Sequence, residues 1–251
     1  GVQADVAVTE GRIAAIGDLV GNDAREVVDA TGRIVCPGFV DPHTHYDAQL
    51  FWDPYATPSS QHGITSMVMG NCGFSIAPIG DESDAEYLAA MLVKVEGMSP
   101  TALAEGVDFD WRTFAEFLER FEGNLAVNVA GMVGHSALRR TVMKNDATVR
   151  ESTPDELDAM KALLAESIEA GGLGFSTSRS FTHSDGDGLP VPSRTAAADE
   201  VEALCAVVAD YEGTTLEWVA DGCLNGFRDD EVDLMARMSL AGRRPINWNV
   251  L

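Results

Sequence analysis

The stretch Pro37-Gly38-Phe39-Val40-Asp41-Pro42-His43-Thr44-His45 decides how the rest of the chain is read. Phe39 and Val40 have the composition of a short buried strand, and the strand runs directly into two histidines one residue apart. Pro37-Gly38 punctuates the entry. Before it, the sequence reads as short antiparallel strands: Asp5–Thr9, Arg12–Ile16, Glu26–Asp29 and Arg33–Val35. Glu10-Gly11 makes a hairpin turn between the first two, and Thr31-Gly32 breaks the third from the fourth.

After Pro37-Gly38 the pattern changes to strands alternating with helices. Phe39–Asp41, Ile64–Met69, Leu125–Ala130, Leu173–Ser176, Thr214–Val219 and Ile246–Val250 are the strand candidates. The clearest helix is Pro154–Glu169. Thr153 is its N-cap, Pro154 its first residue and Glu156 the return half of a capping box, and Gly171-Gly172 ends it. Trp111–Glu122 and Ala197–Asp210 read as further helices. The segment between Pro78 and Asp110 reads as an insertion with a helix over Ala85–Val95. Such alternation predicts an α/β fold with a parallel sheet, open or closed into a barrel. A closed barrel needs eight units and about 250 residues of its own. The barrel region begins near Pro37 and the sequence given stops at Leu251 inside the sixth strand. The expectation is therefore a (β/α)8 TIM-type barrel present to about six βα units.

Side chains at i and i+2 of an extended strand point the same way. His43 and His45 can thus converge on one metal ion at the C-terminal end of their strand, where barrel active sites lie. A bare HxH is more readily two polar loop histidines than a metal site; the strand that feeds this one favours metal binding. Cys72, in Gly70-Asn71-Cys72-Gly73 after the second strand, is by itself a small buried hydrophobe. Beside His43 and His45 it completes a sulfur and nitrogen set that suits zinc. Asp41 and Asp47 flank the histidines and are candidates to orient them. His135 follows the third strand and could reach a substrate, or serve as a hydrogen-bonded structural histidine. Arg179 and His183 follow the fourth, where an arginine fork suits a substrate carboxylate.

Composition narrows the function classes. Forty acidic residues against 17 basic ones give a net charge of −23, which repels nucleic-acid phosphates and anionic lipid. No apolar run approaches the roughly 20 residues that span a bilayer. The N-terminal Gly1-Val2-Gln3-Ala4-Asp5 lacks the basic and apolar regions of a secretory signal. Without an initiating methionine, the natural start is expected upstream. Cys36, Cys72, Cys205 and Cys223 are scattered, as expected of thiols in a cytoplasmic protein. Nothing in the pattern bears on oligomeric state.

The run Val35-Cys36-Pro37-Gly38-Phe39-Val40-Asp41-Pro42-His43-Thr44-His45 resembles the opening of the amidohydrolase superfamily. The continuation His45-Tyr46-Asp47-Ala48-Gln49, then His62-Gly63-Ile64-Thr65 and Gly70-Asn71-Cys72-Gly73-Phe74-Ser75-Ile76-Ala77-Pro78, resembles its N-acyl-D-amino-acid deacylases. Gly134-His135-Ser136-Ala137-Leu138-Arg139 and Gly172-Leu173-Gly174-Phe175-Ser176-Thr177 extend the match. The resemblance implies a barrel over residues 36–251 and a small β-sandwich to which residues 1–35 contribute. It implies one or two zinc ions, a metal-activated water, and hydrolysis of the amide of an N-acylated D-amino acid. By position His43, His45 and Cys72 match metal ligands. Other members use a carboxylated lysine on the fourth strand, but Lys94, Lys144 and Lys161 all lie elsewhere.

The sequence also departs from that pattern. Histidine ligands are expected at the ends of strands five and six, yet none follows His183. Glu217 or Asn249 can supply an oxygen ligand in their place, or simply hydrogen-bond inside the barrel mouth. The acid–base aspartate of the family is expected beyond Leu251, so these 251 residues alone are expected to be inactive. Two other readings stand beside the deacylase: a cyclic-amide hydrolase of the same superfamily, and a catalytically impaired barrel that binds a ligand without turnover.

Overall fold

A computed structural model describes residues 1–249 of the chain. Residues Gly1–Pro37 form one unit and a second unit begins at Gly38. In the first, β1 (Asp5–Thr9) pairs antiparallel with β2 (Arg12–Gly17). Glu10 and Gly11 both take positive φ, 50° and 73°, the conformation that matches a two-residue turn to strand twist. The strands expected at Glu26–Asp29 and Arg33–Val35 do not form. A strand needs a ladder partner for its backbone groups; neither segment finds one, and Val27 and Ile34 are 83% and 91% exposed. The structure of this unit is therefore a two-stranded sheet.

The second unit holds six parallel strands: β3 (Phe39–Asp41), β4 (Ile64–Met69), β5 (Asn128–Gly134), β6 (Gly174–Ser178), β7 (Thr215–Val219) and β8 (Ile246–Trp248). Each is hydrogen-bonded to the next in the sequence, from β3 through to β8. A doubly wound open sheet reverses its order at a switch point; this one runs in strict succession, as an arc of a (β/α)8 barrel does. The sixth strand was expected to reach Val250, which lies outside the described residues. The third forms three residues later than expected, because pairing begins where Asn128 meets Ser66. β6, at the middle of the arc, is buried along its whole length. Phe39 and Val40, expected to be buried, are 59% and 65% exposed, since β3 has a neighbour on one side only.

Helices fill the crossovers. α1 (Glu82–Glu96), α2 (Pro100–Gly106) and α3 (Phe114–Glu119) lie between β4 and β5; α4 (His135–Met143) and α5 (Pro154–Glu169) follow β5. α6 (Ala198–Val208) follows β6 and α7 (Asp229–Gly242) follows β7. Among the described residues none is long and apolar enough to cross a membrane. α5 begins with the expected reciprocal bonds between Thr153 and Glu156. The expected Trp111–Glu122 helix shortens to α3, because Trp111 leaves the helix to be buried. It stacks on Phe51 with centroids 5.2 Å apart and donates its indole N–H to Ile76 O at 3.0 Å.

At the start of β6 the backbone has no room for a side chain. Gly174 has φ +146°, and a Cβ there would lie 1.9 Å from the carbonyl oxygen of Thr215 on β7. Gly174→Ala is expected to cost on the order of 3 kcal/mol, in the upper range for one substitution. Chemical denaturation of the natural protein checks this; a midpoint unmoved from wild type contradicts it.

Candidate metal centre

All the candidate ligands lie at the C-terminal ends of the parallel strands. Between the two histidines, Thr44 bonds Val68 O on β4 through both its backbone N–H (2.9 Å) and its hydroxyl (2.8 Å). The strand alternation therefore persists beyond Asp41. Thr44 is turned one way and His43 and His45 the other, with imidazole centroids 5.2 Å apart.

Cys72 reaches them from a turn at the end of β4. Gly70, at φ +75°, starts the turn; a Cβ there would meet Met132 O at 2.3 Å. Cys72 itself is held at φ 56°, unfavourable for a residue with a Cβ. Neighbouring strands hold the turn in place. Asn71 Nδ2 donates to Thr44 O and Val68 O, the Gly73 N–H to Ser176 Oγ on β6, and the Gly134 N–H on β5 to Ser75 Oγ. Glu217 on β7 accepts the Cys72 N–H at 2.7 Å. As a result Cys72 Sγ lies 3.2 Å from His43 Nε2, and ligand atoms of His43, His45 and Cys72 all fall within 4.8 Å of one another.

The electrostatics suit a cation. Burial, with the charges of His43 and His183, lowers His45 to about 3, so its imidazole is neutral and able to ligate. Burial pushes Glu217 up to about 8 despite its bonds from the Cys72 N–H and from Asn249 Nδ2. The Nδ1 atoms of His43 and His45 are buried without a hydrogen-bond partner. Glu217 Oε1 is 3.8 Å from His43 Nδ1. Two imidazoles with unpartnered Nδ1 atoms, a thiol and a desolvated carboxylate fit a thiophilic divalent ion such as zinc.

A cavity of about 440 Å³ opens over this group. His183 lines it, its Nδ1 2.7 Å from Ser178 Oγ, and burial followed by the charges of Arg194 and His43 lowers it to about 4. Asn249 lines it too. Sequence reasoning missed the far wall, Lys94, Val95 and Glu96 at the end of α1, where Glu96 Oε1 is 3.6 Å from His45 Nε2. No local pattern marks Glu96; only the packing of the insertion brings it here.

The other expected site residues lie elsewhere. Asp41 accepts the backbone N–H of His43 rather than its ring, and Asp47 accepts the Gly70 N–H, so both steady backbone instead of imidazoles. Along β6 and at the residue after it, Ser176 and Ser178 face the site while Thr177 and Arg179 face the helices. Arg179, expected to grip a substrate carboxylate, donates to Ala196 O and is not part of the cavity lining. His135, expected to reach substrate, is fully buried between Thr177 Oγ1 (2.8 Å) and Glu200 Oε1 (2.7 Å). Both Glu200 oxygens also accept from Arg139 Nη1, at 2.6 Å each. His135 is thereby the structural histidine of the two alternatives.

Comparison with known proteins matches residues 26–250 to the Amidohydrolase family. The chain is 35% identical to a D-aminoacylase of Alcaligenes xylosoxydans xylosoxydans over 214 residues, 85% of this chain and 40% of that protein. It is 37% identical to an N-acyl-D-aspartate deacylase of the same organism, over 81% of this chain and 36% of the relative. Among solved structures it is similar to a D-aminoacylase described as defining a novel subset of amidohydrolases. That match has a TM-score of 0.75 at 32% identity, over 99% of this chain and 47% of the other. It is also similar to an N-acyl-D-glutamate deacylase from Bordetella bronchiseptica, solved with zinc and a phosphonate mimic of the tetrahedral intermediate. There the TM-score is 0.73 at 29% identity, over 97% and 46%. The chain spans less than half the length of these relatives, and its six-stranded sheet is part of an amidohydrolase TIM barrel.

The Glu200 cluster generates a prediction about stability. Burial raises the Glu200 carboxyl, but the His135 bond and the charges of His135 and Arg139 outweigh it and hold the group at about 2, against an ordinary 4.5. Its contribution is complete above pH 4.5 and disappears as pH falls toward 2. Glu200→Gln is expected to cost about 3–5 kcal/mol at neutral pH, as does breaking a buried pair, and to flatten the acid limb of stability. Thermal unfolding of both proteins from pH 7 to pH 2 measures it; parallel curves disprove the assignment.

Proposed function

This chain belongs to the amidohydrolase family, and from that premise we propose that its natural protein is a zinc-dependent hydrolase that removes the acyl group from an N-acyl-D-amino acid. The convergence of His43, His45 and Cys72 at the C-terminal strand ends carries the reading. His43, His45 and Cys72 would hold the ion, with Glu217 as an oxygen ligand from β7. Bound there, zinc supplies Lewis-acid polarisation of the amide carbonyl and acidifies water.

The protein's own groups do the positioning. The Cys72 turn, fixed by four strands, holds its sulfur beside His43. Glu96 lies on the open side of His45, placed to accept from its ring and fix its orientation. Phe74 packs against His183 with its ring tilted and centroids 4.7 Å apart, and Val219 adds an apolar wall, so the carbonyl would sit in a partly dry site where charge interactions are strong. With Arg179 turned away, Lys94 is the permanent cation of the described cavity lining and would meet the substrate carboxylate. The unpaired cysteines support action in the cytoplasm on a small-molecule substrate. One or two ions can be served by this donor set.

One observation favours a different reading. Glu217 and Asn249, at the positions where histidines are expected, are bonded to each other at 2.5 Å, which suits a barrel that binds a ligand without turnover. Zinc content of the full-length protein, purified without added metal, separates the two. The deacylase reading expects near-stoichiometric zinc, lost from a His43→Ala/His45→Ala variant, and release of free D-amino acid from an N-acyl-D-amino acid. Zinc in neither protein favours the non-catalytic barrel, and opening of a cyclic amide in place of deacylation favours the other hydrolase. Glu217→Gln is expected to weaken zinc binding roughly 10–100-fold, read by competition with a chromophoric chelator. Unchanged affinity removes Glu217 from the ligand set.

A further inference from the structure

A second cavity, of about 640 Å³, lies along the insertion. Its walls are mostly apolar, with Ala85, Ala89 and Val93 on α1, Leu103 and Val107 across from them, and Gly186 of the loop after β6. The carboxylates of Glu82, Glu86 and Asp108 also belong to the lining. Lys94 lines both this cavity and the one over the metal ligands. The same two segments continue from one to the other. On α1, Lys94, Val95 and Glu96 face the metal cavity while the preceding turns face the apolar one. In the loop, Thr182, His183 and Ser184 face the first and Gly186 the second. Between them Tyr87 donates its hydroxyl to Asp185 Oδ2 at 3.0 Å and fastens helix to loop. That carboxylate also accepts the N–H groups of Asp187 and Leu189, which holds the loop in shape.

We infer that this second cavity receives an extended aliphatic acyl chain, making the preferred substrates fatty-acylated amino acids rather than N-acetyl ones. The inference rests on the deacylase reading and deepens it. The acyl chain begins at the carbonyl carbon, which hydrolysis places beside His43, His45 and Cys72. From there the wall passes Glu96 and Lys94 and runs back along α1. Val93 to Ala85 is eight residues, about 12 Å of helix, longer than an amino-acid side chain reaches but suited to an unbranched chain. The volume is within the range of pockets that enclose ligands of that size, and the lining is more apolar than polar. Lys94, at the junction, stands where the carboxylate would remain as the chain passes into the groove.

The test compares hydrolysis of N-acetyl-, N-octanoyl- and N-dodecanoyl-D-alanine by the full-length zinc enzyme and by two variants, Ala89→Phe on α1 and Ala104→Phe on α2. Circular dichroism and thermal melting establish that each variant is folded. For the wild type, kcat/KM is expected to rise about a hundredfold from acetyl to dodecanoyl, well short of the roughly fourfold per methylene that complete burial gives. Either substitution, by filling the groove, is expected to cut that ratio at least tenfold. A flat chain-length profile, or a rise that both folded variants keep, overturns the groove and leaves the deacylase standing. Failure to hydrolyse any of the three compounds marks the failure of the deacylase reading and takes the groove's role with it.

Discussion

The site depends on one buried carboxylate. Glu217 is 2% exposed, and its two oxygens reach three separate chain segments: the Cys72 N–H at the end of β4, Asn249 after β8, and the neighbourhood of His43 after β3. Burying a carboxylate is costly unless charge and hydrogen bonds compensate. Here the bonds only partly do, which is why the group is pushed up to about 8. A cation among the imidazoles would supply the rest and return the carboxylate to its charged form. Glu217 is therefore both the brace that holds Cys72 in a left-handed conformation and a group that a bound metal would stabilise. Replacing histidine by glutamate at this position need not abolish the centre; it exchanges a neutral nitrogen for a charged oxygen, and lowers the net charge of the bound site.

A period of two separates chemistry from scaffold. On β6 and at the residue after it, the side chains of Ser176 and Ser178 turn to the Cys72 turn and to His183, while Thr177 and Arg179 turn to the helix layer. Thr177 joins a network in which His135, Arg139, Glu200 and Ser152 satisfy one another, while Arg179 bonds Ala196 O. After β3 the same alternation puts His43 and His45 on one face and Thr44 on the ladder. A shift of one residue would exchange the site for the network, so the register that Gly174 permits between β6 and β7 is a functional constraint as well as a structural one.

What the sequence shows clearly is what short-range physics determines. The capped helix α5, strand β4 and the strand-borne histidine pair are local patterns, and each was legible at residue level. The parts that were not legible depend on partners distant in sequence. Val27, Val28, Ile34 and Val35 have strand composition, but composition provides no ladder. α4 went unrecognised because its buried face carries Arg139 and Arg140, and these are tolerated only because Glu200 and Asp84 meet them. Arg179 looked like a carboxylate fork because its position along β6 was visible and its face was not. Glu96 carries no signal at all until α1 folds over the strand ends.

Strands and insertion do separate jobs within this barrel. The strands supply the donor set, and they must do so within tight limits, because Gly70 and Cys72 tolerate almost no displacement against Met132 and Glu217. The insertion is under no such limit. α1 meets the centre through the final turn that bears Lys94 and Glu96, and Ala85, Ala89 and Val93 on its preceding turns border the second, mostly apolar cavity. Variation in the insertion can therefore change which substrate is admitted without disturbing how the metal is held, as is general where loops on a rigid scaffold carry specificity. On this division the chemistry should follow β3, β4 and β7, and the choice of acyl group should follow α1.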